Sequence, residues 1–126
     1  MQERIIKLPY KPLGRVPSAG AVIVGDFVFV AGVDGVNPET GKLVGNVESQ
    51  TQMAVKNIRS ILEKAGTSLD NIIKSTIYIT KREDVDIVFD TLMKMIPKME
   101  DKVNCDLWIE GLPGGSLVKI EVVAVK

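Results

Sequence analysis

The run Val118 to Val125, VKIEVVAV, constrains the fold more than any other part of the chain. Side chains in a strand alternate with period two, so Val118, Ile120, Val122 and Ala124 share one face, while Leu117, Lys119, Glu121 and Val123 share the other. The first face must be buried. The second carries a base and an acid two residues apart. Just upstream, Cys105, Leu107 and Ile109 alternate with Asn104, Asp106 and Trp108, and Gly111, Pro113, Gly114 and Gly115 punctuate the segment between the two runs. The stretch from Val103 to Val125 thus reads as two strands joined by a turn, each with one apolar face and one face carrying chemistry. Parity puts Asn104, Asp106 and Trp108 on the same side as Lys119 and Glu121, given two strands that flank one cleft.

The remaining elements run from the N-terminus. Ile5 and Ile6 begin a short edge strand, succeeded by a loop rich in proline and glycine. Ala21–Val24 and Phe27–Ala31 are β-rich runs separated by Gly25-Asp26, a two-residue connection that favours a hairpin. Asp34 to Gly45 reads as a polar loop with turn signals at Asn37-Pro38 and Thr40-Gly41. Val47, Ala54, Ile58, Ile61 and Ala65 then recur at helical spacing, with Asn46 as N-cap and Gly66 as the stop. Ile72 to Thr80 is a strand, with Ile73, Ser75, Ile77 and Ile79 expected on one face. Thr80 and Glu83 have the spacing of a capping box. Val85, Val88, Phe89, Leu92, Met93 and Ile96 give a second helix its apolar stripe, and Pro97 ends it. The order predicts one α+β domain over residues 1–126, with about six strands and two helices on one face of a mixed sheet. Phe27–Ala31 is apolar on both faces, so another copy of the chain is expected to cover the face that the helices leave open.

Sixteen basic and sixteen acidic residues leave formal net charge zero. No global field therefore draws the chain to nucleic acid or anionic lipid. Its first ten residues lack the apolar core of a signal peptide, and every apolar run stops short of a membrane span, so a soluble, cytoplasmic protein is expected. The chain has no histidine, which removes Ser-His-Asp and Cys-His sites and leaves carboxylates, lysine, tyrosine or cysteine as bases. Its single cysteine, Cys105, allows no intrachain disulfide and is expected in the core.

Three runs, VGDFVFVAGVDGVNPETGKLVG, QTQMAVKNIRSILEKAGTSLDNIIKSTIYIT and GLPGGSLVKIEVVAV, resemble the reactive intermediate deaminase (Rid, YjgF-like) family over nearly the whole chain. The resemblance implies a chorismate-mutase-like fold and a homotrimer with clefts between subunits. It also implies hydrolysis of 2-imino acids to 2-keto acids and ammonia without metal or organic cofactor. Some relatives carry ribonuclease or translation-inhibitor labels.

Carried over position by position, the resemblance meets changed residues. The family's substrate-clamping arginine, eight residues before the leucine of the Leu-Pro turn, falls at Asn104; its water-positioning glutamate, seven residues after that leucine, falls at Lys119. The tyrosine of a Gly-Pro-Tyr motif aligns with Val16, a serine with Ala31, and an asparagine of the second helix with Phe89, while Gly32 keeps the family's glycine. The backbone near Asp106 is a candidate for holding water. Lys119, with Arg15, would restore positive charge to the cleft for an anionic small molecule; alternatively Asp106 and Lys119 form a structural ion pair, with Trp108 at a subunit contact. Three functions are compatible with these residues: a deaminase of altered specificity with Asn104 and Lys119 as candidate catalytic groups, a trimeric binding or regulatory protein, or a ribonuclease. The last lacks both the basic charge and the exposed aromatics that RNA binding calls for.

Overall fold

The computed structural model describes residues 3–126. Eight strands and two helices succeed one another as β1 (Glu3–Ile6), β2 (Ala21–Val24), β3 (Phe27–Asp34), β4 (Val36–Asn37), β5 (Lys42–Leu43), α1 (Val47–Lys64), β6 (Ile72–Ile79), α2 (Val85–Met95), β7 (Val103–Trp108) and β8 (Val118–Val125). Six strands form one mixed sheet in the order β1-β2-β3-β8-β6-β7, and β4 and β5 make a separate two-stranded hairpin. All pairings are antiparallel except β6 with β7, which are parallel and are joined through α2, as a parallel pair requires a crossover. No helix among the described residues is long and apolar enough to cross a membrane.

The alternation in β8 works as its spacing predicts: Val118, Ile120, Val122 and Ala124 are buried beneath the helices. They meet Ile58, Ile61 and Leu62 of α1, Leu92 of α2 and Ile77 and Ile79 of β6, all at most 1% exposed. Full burial of each such side chain is worth about 1.5–3 kcal/mol. The α1 N-terminus is capped by Asn46, whose Oδ1 accepts the Ser49 N–H at 2.9 Å. Gly66, at φ 85°, turns the chain out of the helix through a conformation that a side chain disfavours.

Several expectations need correction. β7 and β8 are not a hairpin: β6 lies between them, and a connection holding a single 3-10 turn at Pro113–Gly115 links them. Because β7 is the sheet edge, all six of its residues are exposed, Cys105 included. Its parity is also reversed. Thr76 pairs with both Cys105 and Glu121, and Tyr78 with both Leu107 and Lys119, so Cys105 and Leu107 share the open face with the β8 charges. Asn104 pairs with buried Ser75 on the helix side, and Asp106 and Trp108 stand there too. In β6, an irregularity between Ile72 and Lys74 turns Ile72 inward and leaves Ile73 40% exposed, out of line with Ser75, Ile77 and Ile79. The Thr80–Glu83 capping box does not form, because a 3-10 turn at Arg82–Asp84 precedes α2 and no side chain caps it. The segment expected as a polar loop buries Asp34 and Val36 and carries the β4–β5 hairpin. Met93, assigned to the apolar stripe of α2, is exposed.

The helices cover one face of the sheet. On the other, Phe27 and Phe29 are each nearly half exposed, with their rings 6.3 Å apart. Row by row across this face, Ile5, Val22, Phe29 and Val123 stand in register.

Candidate functional site

At the C-terminal end of β3 the alternation slips. Val30 pairs with Val122, but the next pairs are Val33 with Ile120 and Asp34 with Lys119, so Ala31 and Gly32 form a bulge. The extra residue puts Val33 in the core and sends Asp34 to the open side, next to Lys119. Gly32 permits this arrangement. A Cβ there would come within 2.9 Å of the Lys119 Cδ, so only the absence of a side chain lets the lysine stem lie across the strand.

The loop before β2 folds over this spot and closes a cleft of about 400 Å³. Its floor is Gly32, Asp34, Tyr78, Lys119 and Glu121, and its wall includes Tyr10, Arg15 and Val16. Tyr10 anchors the loop: its ring is buried and its hydroxyl oxygen accepts the Asp34 backbone N–H at 2.7 Å. From the opposite side, buried Asn57 of α1 donates through Nδ2 to the carbonyls of Val36 at 2.8 Å and Asp34 at 3.3 Å. Gln50 takes the Leu117 N–H at 3.0 Å and thereby fixes the entry to β8. Polar side chains of α1 therefore hold both strands that carry the charged floor.

Asp34 is 3% exposed. Its Oδ2 lies 3.8 Å from the Lys119 Nζ, the one ion pair within 4 Å among the described residues despite sixteen acids and sixteen bases in the chain. Its Oδ1 is buried without a hydrogen-bond partner. Burial raises the Asp34 pKa above the usual carboxylate value; the nearby Ser116 hydroxyl, the Lys119 charge and the Tyr10 hydroxyl oppose that shift without cancelling it, and the Ser116 contribution is weak because its Oγ donates to the Val118 carbonyl at 2.9 Å instead. Burial likewise pushes the Tyr10 phenol up. Two residues along β8, Glu121 accepts a hydrogen bond from the Tyr78 hydroxyl at 3.0 Å. Partial burial, and then the Glu121 carboxylate, raise the Tyr78 pKa. The two tyrosines of the chain both line this cleft.

Of the residues singled out from sequence, Arg15, Val16, Gly32 and Lys119 meet here. Ala31 lies in the adjoining shallow groove beside Phe29. Phe89, on α2, is partly buried against the core. Asn104 does not line the cleft: it accepts from the Ser75 hydroxyl at 2.6 Å and donates to the carbonyls of Met99 and Lys102, tying the end of the α2–β7 connection to the sheet. Asp106 stands on that same side of β7, so the Asp106–Lys119 pair that stood as an alternative does not form, and Lys119 faces Asp34 instead. Trp108 packs under the Arg82 guanidinium, 4.4 Å from its ring centre. Among the described residues no group of three or more cysteine, aspartate or glutamate side chains is placed to hold a metal.

Sequence reasoning missed Tyr10, Asp34 and Tyr78, and placed Glu121 only on the same strand face as Lys119 without a role. The first two left a signal: a tyrosine between two prolines in a chain with few aromatics, and an aspartate closing the strand FVFVAGVD.

The fold and these residues can be set beside known proteins. Residues 12–126 match the family model described as endoribonuclease L-PSP. A RutC family protein of Aquifex aeolicus is 39% identical over 98% of this chain and 99% of its own length. The human 2-iminobutanoate/2-iminopropanoate deaminase is 30% identical over 98% of this chain and 90% of its own. Among solved structures, E. coli TdcF with bound serine superposes with a TM-score of 0.87 at 26% identity, covering 98% of each chain. With a family match spanning all but the first eleven residues, and relatives alike over almost their whole length, the chain belongs to the Rid/YjgF, or endoribonuclease L-PSP, family.

Proposed function

We propose that this chain is an imine or enamine deaminase of altered specificity, acting on a small anionic substrate in the cleft between Tyr10 and β8, as a single domain assembled into a homotrimer. The observation that carries the reading is the pairing, two residues apart on β8, of a cation and a tyrosine-held carboxylate on one cleft floor. Lys119 seats the substrate carboxylate. Among the described residues its ammonium donates no hydrogen bond within the protein, and its side chain keeps 25% exposure, so its donors are available to a ligand. Arg15 adds a second positive charge at the cleft wall.

Glu121 supplies the base. Held by the Tyr78 hydroxyl, it orients a water and takes its proton as the water oxygen bonds to the imine carbon and the C=N π pair passes to the nitrogen, to which the Glu121 acid returns that proton. In the resulting carbinolamine the Glu121 carboxylate takes the hydroxyl proton and passes it to the amine as the C–N bond breaks, leaving the ketone and ammonia. The acid of the family's pattern is thereby displaced from position 119 to position 121, and the clamping cation from Asn104's position to Lys119. Two relatives support the direction of this reading, one named for deaminating 2-imino acids and one solved with an amino acid bound. The apolar open face supports assembly, since Phe27, Phe29 and their neighbours would otherwise stay wet.

The test is ammonia release from freshly generated 2-imino acids, purified protein against buffer, over several amino-acid precursors. Acceleration supports the deaminase. No acceleration with any precursor, together with retained binding of 2-oxo acids, would make the cleft a non-catalytic binding site.

A further inference from the structure

The Asp34 carboxylate is in an unusual position for a group beside a ligand cleft. It is 3% exposed, one oxygen has no hydrogen-bond partner, and the other is 3.8 Å from Lys119, too far for a hydrogen bond but close enough for charge to matter. The groups facing it are few. From the N-terminal loop comes Tyr10, from β8 Lys119, with Ser116 just before that strand, and from α1 the Asn57 amide, which is engaged with the Asp34 and Val36 carbonyls. Arg15, Tyr78 and Glu121 stand further along the same cleft. Lys119 is therefore the cation that offsets the Asp34 charge, and it is also the cation through which the cleft would hold an anion.

One ammonium cannot neutralise two anions. When a ligand carboxylate settles on Lys119, the buried Asp34 is left beside a second negative charge with the one counterion it has among the described residues shared, and a like charge nearby disfavours ionisation. We propose that binding of a small carboxylate at Lys119 is coupled to uptake of a proton by Asp34, converting it from carboxylate to carboxylic acid with the proton drawn from solvent. This rests on the reading that Lys119 seats the anion, but it requires no turnover. Burial already raises the Asp34 pKa in the free cleft, which brings the coupling towards neutral pH. Linkage sets the sign. Uptake is largest between the pKa of Asp34 in the free cleft and its higher value in the complex, so affinity weakens as pH rises through that window.

Isothermal titration calorimetry with pyruvate, in buffers of different ionisation enthalpy at several pH values, reads the proton count directly. The wild-type protein is expected to take up a sizeable fraction of a proton per site, and its affinity to fall severalfold as pH rises. Asp34→Asn should bind with no uptake and a flat pH profile, Glu121→Gln should keep the uptake, and Lys119→Met should lose binding. Pyruvate that binds the wild type with zero uptake at every pH overturns the coupling while leaving the anion site standing. Uptake that survives in Asp34→Asn, or disappears in Glu121→Gln, assigns the proton elsewhere and also overturns it. No pyruvate binding at all removes the anion site itself, and ammonia release by the wild type then judges the deaminase reading separately. Should Asp34→Asn fail to fold, the wild type and Glu121→Gln decide between these results.

Discussion

Replacing Lys119 by methionine keeps most of the side-chain volume over Gly32 and removes the charge that faces Asp34. At 3.8 Å and an effective dielectric of about 20, Coulomb's law gives about 4 kcal/mol for the pair. The Lys119 side chain keeps 25% exposure, so solvent screens part of this and the expected loss is about 1–3 kcal/mol. The loss depends on pH with a definite sign. A carboxyl whose folded pKa lies above its unfolded one favours the native state below the unfolded value, and that contribution disappears as pH rises through the folded value. Removing Lys119 raises the folded pKa further, so the penalty should be smaller near pH 5 than near pH 8. Urea denaturation of wild type, Lys119→Met, Asp34→Asn and the double variant, at both pH values and one fixed protein concentration, measures it. The double variant should recover most of the loss, because no charge is left buried alone. Equal destabilisation at both pH values, or strict additivity in the double variant, would refute the coupling between these two charges.

Asn46→Ala removes the α1 cap and should cost about 1 kcal/mol in the same denaturation assay, with Asn46→Gly milder. Phe29→Asp places a charge at the centre of the apolar open face and is expected to lower the mass found by size-exclusion light scattering; an unchanged mass would take that face out of the subunit interface. Ile120→Ala, fully buried in the central strand, should destabilise by about 2–5 kcal/mol; a loss below about 1 kcal/mol would mean that the core around β8 collapses around the gap.

The sheet and helices were legible because burial on one face imposes period two on β8 and a helical period on α1, and neither signal depends on distant partners. Strand neighbours were not legible in the same way. Nothing local to Val103–Trp108 says that its partner is β6, so its parity relative to β8 had to be assumed, and the intervening strand reverses it. Bulges defeat parity for a related reason. One extra residue at Ala31–Gly32 moves Asp34 across the sheet, and the irregularity after Ile72 exposes Ile73. The cleft was half visible. Lys119 lies in a strand whose pattern could be counted and Gly32 came from the family resemblance, whereas Tyr10 reaches Asp34 through 24 positions of sequence by way of a loop that has no period at all. The same holds for Asn104: its side chain is spent on Ser75 and two backbone carbonyls that no spacing rule connects to it.

The most direct test of the central claim is the initial rate of ammonia release from a freshly generated 2-imino acid, measured for the wild type and Glu121→Gln against buffer. With Glu121 orienting the water, the wild type accelerates release and the variant loses on the order of 10²-fold or more in kcat, with KM little changed. A Glu121→Gln protein that keeps the wild-type rate would contradict the account and take the chemistry away from β8.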